Sequence, residues 1–74
     1  MRANNKVYRI TQLIALVLEF RDIKKSDWED YFDINPDENN KTINRDIAEL
    51  KTLLYDIYGE RLVYNRKENR YELR

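Results

Sequence analysis

Apolar residues recur through the first third of the chain at helical spacing. Val7, Ile10, Ile14, Val17 and Leu18 lie within about 100° of one another at 3.6 residues per turn, which predicts an amphipathic helix from Val7. Leu13, Leu16 and Phe20 form a second apolar set on another side of that helix. Two sets allow two readings. Either the helix is central and covered from two directions, or Leu13, Leu16 and Phe20 are the interface of a homodimer. Ile23 closes the segment, and Lys24 and Lys25 sit in the connection.

SDWEDYF (26–32) predicts a short second helix. Ser26 with Glu29 three residues on has capping-box spacing, and Asp27, Glu29 and Asp30 suit a helix N-terminus. Trp28, Tyr31 and Phe32 give it an aromatic inner face, with Trp28 in the core. NPDENN (35–40) follows and holds the only proline. It supports two boundaries: Asn35 caps a helix beginning at Pro36, with Glu38 in the capping-box position, or Pro36 sits in a turn and Asn39 or Asn40 caps a helix from Lys41. That third helix runs through Ile43, Ile47, Leu50, Leu54 and Ile57, and Gly59 stands where a left-handed C-terminal residue belongs.

Beyond Gly59 the period changes to two. Leu62 and Tyr64 alternate with Arg61 and Val63, and Tyr71 and Leu73 with Arg70, Glu72 and Arg74, around the turn-like NRKEN (65–69). This predicts a two-stranded hairpin with those four residues facing inward; a lone hairpin is marginal in water, so it must pack on the helices. Tyr55 and Tyr58 are expected to pack at the end of the third helix. The expectation is a single α+β domain over 1–74, with a polar arm at 1–6 and a hairpin at 61–74.

Composition narrows the function more by exclusion. There is no cysteine and no histidine, so thiolate metal sites and the commonest general base are absent. No nucleophile–base pair or glycine-rich phosphate loop stands out, and neither catalysis nor a cofactor or metal is expected. The most apolar stretch, ITQLIALVLEF (10–20), is too short to span a membrane, and no signal peptide is visible, so a cytoplasmic protein is expected.

Lys and Arg number 14 against 14 Asp and Glu, for a net charge of zero, where nucleic-acid modules are usually basic. The distribution is uneven. Arg2, Lys6 and Arg9 have no acid among them; 27–38 holds acids and no base; Arg61, Arg66, Lys67, Arg70 and Arg74 face only Glu68 and Glu72 in the last segment.

Helix, short helix, longer helix and hairpin is the order of a winged helix-turn-helix, whose third helix fits a major groove about 12 Å wide. With its apolar residues turned inward, the third helix presents Lys41, Thr42 and Arg45 early and Glu49, Thr52 and Asp56 later, with Asn44 at the margin. KTINRDIAEL (41–50) resembles the recognition helix of DeoR-type and WYL-domain-associated transcriptional regulators, which reads Thr-Ile-x-Arg-Asp-Ile/Leu-x-x-Leu. Thr42, Ile43, Arg45, Asp46, Ile47 and Leu50 match it. RLVYNRKENRYEL (61–73) is similar to that family's wing through Leu62, Tyr64, Arg66, Asn69, Tyr71 and Leu73. Three features depart from the pattern. Asn44 stands where a basic residue is frequent, Arg70 replaces the wing glycine, and the DINPDENN connection is longer and more acidic.

The resemblance implies a sequence-specific domain for double-stranded DNA in transcription regulation. Lys41, Thr42, Asn44 and Arg45 would enter the major groove; Arg66, Lys67 and Arg70 would hold phosphates from the wing; Arg2, Lys6 and Arg9 would assist from the arm. Such regulators usually carry a further effector domain, so the chain is expected to be either a fragment of one or a stand-alone protein. Asp46, at one end of the apolar stripe, is expected to pair with a neighbouring cation or to cap locally. The alternative from another class is a winged-helix protein-interaction module, of phage or mobile-element type, whose acidic 27–38 surface docks a protein partner.

Overall fold

The computed structural model describes residues 5–74. The first helix, α1 (Lys6–Phe20), starts because the Asn5 side chain accepts the Tyr8 N–H at 2.8 Å. It stops at Arg21, whose left-handed backbone (φ 65°) turns the chain into a short strand, β1 (Asp22–Ile23). Helix α2 (Ser26–Phe32) ends at Asp33, also left-handed at φ 60°. Helix α3 (Asn40–Leu53) continues into one wide π-helical turn, Leu54–Tyr58, closed by Gly59 at φ 69°. Strands β2 (Leu62–Asn65) and β3 (Arg70–Leu73) complete the chain.

The sheet has three antiparallel strands in the order β1-β3-β2, not the two expected. Ile23 lies opposite Tyr71, and Tyr71 opposite Tyr64, so one row crosses all three strands. A two-residue strand is too short to show an alternating pattern, which is why β1 escaped the periodicity. It makes β3 the central strand and ties the end of α1 to the hairpin, with the Leu73 N–H donating to the Arg21 carbonyl at 3.0 Å.

The core gathers Ile10, Leu13 and Val17 of α1, Ile23 of β1, Trp28 and Phe32 of α2, Ile43, Ile47 and Leu50 of α3, Leu54 of the π turn, and Leu62 and Leu73 of the hairpin. Each such side chain contributes roughly 1.5–3 kcal/mol by leaving water. Helix α1 is thus rotated from the expected setting. Leu13 is fully buried at its centre, whereas Val7 is 77% exposed and Ile14 and Leu18 only flank the core. Two covers, α3 and the sheet, need a stripe between the two apolar sets, and Leu13 is where they meet.

At Ile57 the helical spacing breaks down: the residue is 63% exposed. The π turn is the cause, because i→i+5 bonding widens the turn and carries Ile57 off the inner face. Tyr55 and Tyr58 are exposed as well, and the Arg61 guanidinium lies 5.6 Å from the Tyr55 ring centre. Of the two boundaries at NPDENN, the turn is the one formed. Asn35 accepts the Asp37 N–H at 2.8 Å, and α3 begins at Asn40. Asn39 occupies the cap position without a side-chain capping bond, its amide donating instead to the Asn35 carbonyl at 3.1 Å. The Ser26–Glu29 capping box is not formed either. Asp27 instead accepts the Lys24 N–H at 2.9 Å.

Among the described residues no helix is long and apolar enough to cross a membrane.

Candidate functional site

The outer surface of α3 is set by what its inner surface holds. Asp46, only 1% exposed, lies between Ile43 and Ile47 on the buried face. Its carboxylate accepts the Arg9 Nε–H at 2.5 Å and an Nη2–H at 3.1 Å, and the Trp28 indole N–H at 3.0 Å. One carboxylate therefore joins α1, α2 and α3. Two parallel guanidinium bonds fix direction as well as distance, so α3 cannot roll about its axis without breaking them. Among the described residues no buried side-chain N or O is left without a partner. Asp46 thus pairs with a cation far away in sequence, and Arg9, expected to assist at phosphates, is a core residue at 7% exposure.

With Asp46 inward, successive residues at about 100° each place Lys41, Asn44 and Arg45 outward. All three are exposed, and Thr42 is half-buried beside them. Glu49, the acid further along this surface, is matched by the Lys6 ammonium at 2.7 Å. Lys6 is therefore committed to α3, where it cancels the charge that phosphates would meet. Arg2, the remaining cation of the arm, lies outside the described residues.

In the hairpin, Arg66 and Lys67 are exposed in the turn, and the Asn65 side chain shapes that turn by accepting the Glu68 N–H at 3.1 Å. Arg70 is placed differently from them. It sits in the central strand between Asp22 of β1, 3.3 Å away, and Glu72, 2.9 Å away. Its guanidinium is a cross-sheet tie rather than a free cation at the tip, and a phosphate would have to compete with two carboxylates. Glu72 also accepts from Asn65 Nδ2 at 3.0 Å and from Arg74 at 3.0 Å.

These bonds, Arg70 first, then Asn65 and Arg74, pull the Glu72 carboxyl from its ordinary 4.5 to about 2. A depressed carboxylate stabilises the fold above its unfolded pKa, and that stabilisation is lost as pH falls through the folded value. The wild-type melting temperature should therefore drop between pH 4.5 and about 2 more steeply than that of Glu72→Gln. Parallel slopes in thermal scans at pH 5, 3 and 2 would refute the role of Glu72.

The β1–α2 turn joins the two cationic edges. The Lys25 ammonium donates to Asn40 Oδ1 at 3.0 Å, at the start of α3. Lys24 and Lys25 also line a cleft with Tyr64, Asn69 and Tyr71 of the hairpin. Lys24, Lys25, Lys41, Lys51, Arg45, Arg61, Arg66 and Lys67 have no carboxylate partner among the described residues, whereas Lys6, Arg9, Arg21, Arg70 and Arg74 are all paired. Neutrality of the whole chain conceals this division. Lys24 and Lys25 carried no role in the sequence reading; their adjacency to α3 and the hairpin exists only once the chain is folded.

The homodimer stripe does not survive as a unit. Leu13 is in the core, Leu16 packs partly against it, and Phe20 remains exposed. Tyr64, expected in the core, is 43% exposed, on the edge strand β2. Among the described residues no acidic cluster is arranged to hold a metal ion. Compared with family models, curated proteins and solved structures, the chain matches none of them.

Proposed function

We propose that this chain is a winged helix-turn-helix domain that binds double-stranded DNA sequence-specifically in transcription regulation. Helix α3 is its recognition helix and the β2–β3 hairpin its wing. The observation that carries this is the sorting of the cations: those in the hydrophobic and cross-sheet framework are paired, and those on the edge of α3 and the hairpin turn are not. Unpaired cations can turn toward phosphate without breaking an ion pair, whereas paired ones must first be released. The Arg9–Asp46–Trp28 cluster supports the same assignment, since it holds α3 at one rotation.

In this arrangement Arg45 and Asn44 face base edges, Lys41 and Thr42 take the adjoining phosphates, and Arg66 and Lys67 take phosphates from the wing. Arg45→Ala should weaken binding by about 1–3 kcal/mol and relax the choice of sequence at one position, while Lys67→Ala should weaken all sequences alike. Fluorescence anisotropy against a randomised duplex pool, then against the selected site, separates the two effects. Failure of the folded protein to bind any duplex at low salt would overturn the proposal and turn attention to the acidic outer side of α2, where Glu29, Asp30, Tyr31 and Asp33 surround a shallow depression.

A further inference from the structure

The cleft between the β1–α2 turn and the hairpin lies beside the duplex-facing surface and has its own chemistry. It encloses about 400 Å³ and is lined by Lys24, Lys25, Ser26, Tyr64, Asn69 and Tyr71. That volume is in the range of small-molecule sites, roughly 300–1,000 Å³. We propose that this cleft binds a nucleotide: it stacks one unpaired base on Tyr64 and holds the attached phosphate with Lys24 and Lys25.

The aromatic wall is fixed in place. The Tyr64 and Tyr71 rings stand 4.9 Å apart and tilted by 50°. The Tyr64 hydroxyl donates to Asn69 Oδ1 at 2.5 Å, which anchors the ring. The Lys51 ammonium lies 6.0 Å from the centre of the Tyr71 ring, so Tyr64, the more exposed of the two, offers the open surface. Aromatic rings interleaved with cations are what unpaired nucleotides require, because every base has a π-face and every phosphate a charge.

The polar groups match the same ligand. No acid lines the cleft. Asp27, the residue after Ser26, is turned to the Lys24 N–H, and Glu72, the residue after Tyr71, is held by Arg70, Asn65 and Arg74. Lys25 is held by the neutral Asn40 amide, which orients its ammonium without neutralising it. The Ser26 hydroxyl has no partner among the described residues and is a free donor for a phosphate oxygen. Asn69 spends its oxygen on Tyr64, and its amide N–H groups remain for a base edge or a phosphate.

A nucleotide with this chemistry comes either from a strand end beside a duplex or from a free mononucleotide. The strand source rests on the duplex-binding proposal; the chemistry of the cleft does not. Three probes distinguish them: a blunt duplex, the same duplex with a short single-stranded extension, and AMP. Each is titrated into the wild type and Tyr64→Leu by anisotropy or calorimetry, after circular dichroism shows that the variant is folded. The extended duplex should bind about tenfold tighter than the blunt one. Tyr64→Leu should erase that gap while blunt-duplex affinity stays the same. Binding of AMP that Tyr64→Leu abolishes, without a gap between the duplexes, supports the cleft with a free nucleotide as its ligand. No gap and no AMP binding overturns the inference, whatever the blunt duplex does. A silent blunt duplex beside a bound AMP or extension removes only the duplex proposal.

Discussion

The Asp46→Ala protein is expected to be about 3–5 kcal/mol less stable than the wild type, because truncation removes the carboxylate that the buried Arg9 guanidinium grips through two bonds. The Trp28 indole N–H loses its acceptor in the same step. A domain of this length has only about 4–11 kcal/mol in all, so the variant should be partly or wholly unfolded at 37 °C. Urea unfolding followed by Trp28 fluorescence measures the loss directly. Removing both charges should be far milder. Arg9→Met with Asp46→Leu also relieves the cost of burying ions, and the remaining deficit is the unmet Trp28 donor, about 1–3 kcal/mol. A single Asp46→Ala variant within 1 kcal/mol of wild type would show that the cluster is solvated and does not hold the helices together.

The second large effect concerns salt. If the unpaired cations on α3, the β1–α2 turn and the hairpin engage phosphates, about six to eight contacts form, and the log–log slope of affinity on salt is about −5 to −7. Between 50 and 200 mM salt, duplex affinity should then fall by about 10³- to 10⁴-fold. The pairing pattern sharpens the expectation. Arg70→Gln should leave the slope unchanged, since Arg70 is already held by Asp22 and Glu72, whereas Lys67→Gln should lower it by about 1. Equal slopes for wild type and Lys67→Gln would remove the hairpin turn from the interface.

Legibility in the sequence followed periodicity. The three helices and the hairpin could be read because each runs long enough to repeat, and Gly59 and the α3 stripe from Ile43 to Leu54 stand where the spacing puts them. Three features could not be read that way. Strand β1 has two residues and therefore no period. The π turn changes the residues per turn just where Ile57 was extrapolated from its predecessors. Helix α1 has two apolar sets, and only packing shows that the buried stripe lies between them, on Leu13. The candidate site was legible where it is local, as in Lys41 to Arg45 on one helix edge. It was illegible where it is made by distant parts meeting. Arg9 looked like one more cation of a basic arm, and nothing near it in sequence marks it as the partner of Asp46, 37 residues away. The apolar neighbours of Asp46 were the one available sign, since a carboxylate in a core stripe needs a partner from somewhere.

Sorted charges of this kind would give the molecule an electric dipole. Its monopole vanishes, since acids and bases are equal in number. Yet among the described residues Glu29 and Asp30 of α2 have no ion-pair partner, and neither have Lys41 and Arg45 of α3 or Arg66 and Lys67 of the hairpin turn. A neutral dipole is not drawn to a polyanion from afar as a basic protein is. It is rotated by the field once within about a Debye length, near 8 Å at physiological ionic strength. Its encounter with a phosphate backbone would be short-ranged and already oriented, with the cationic edge leading.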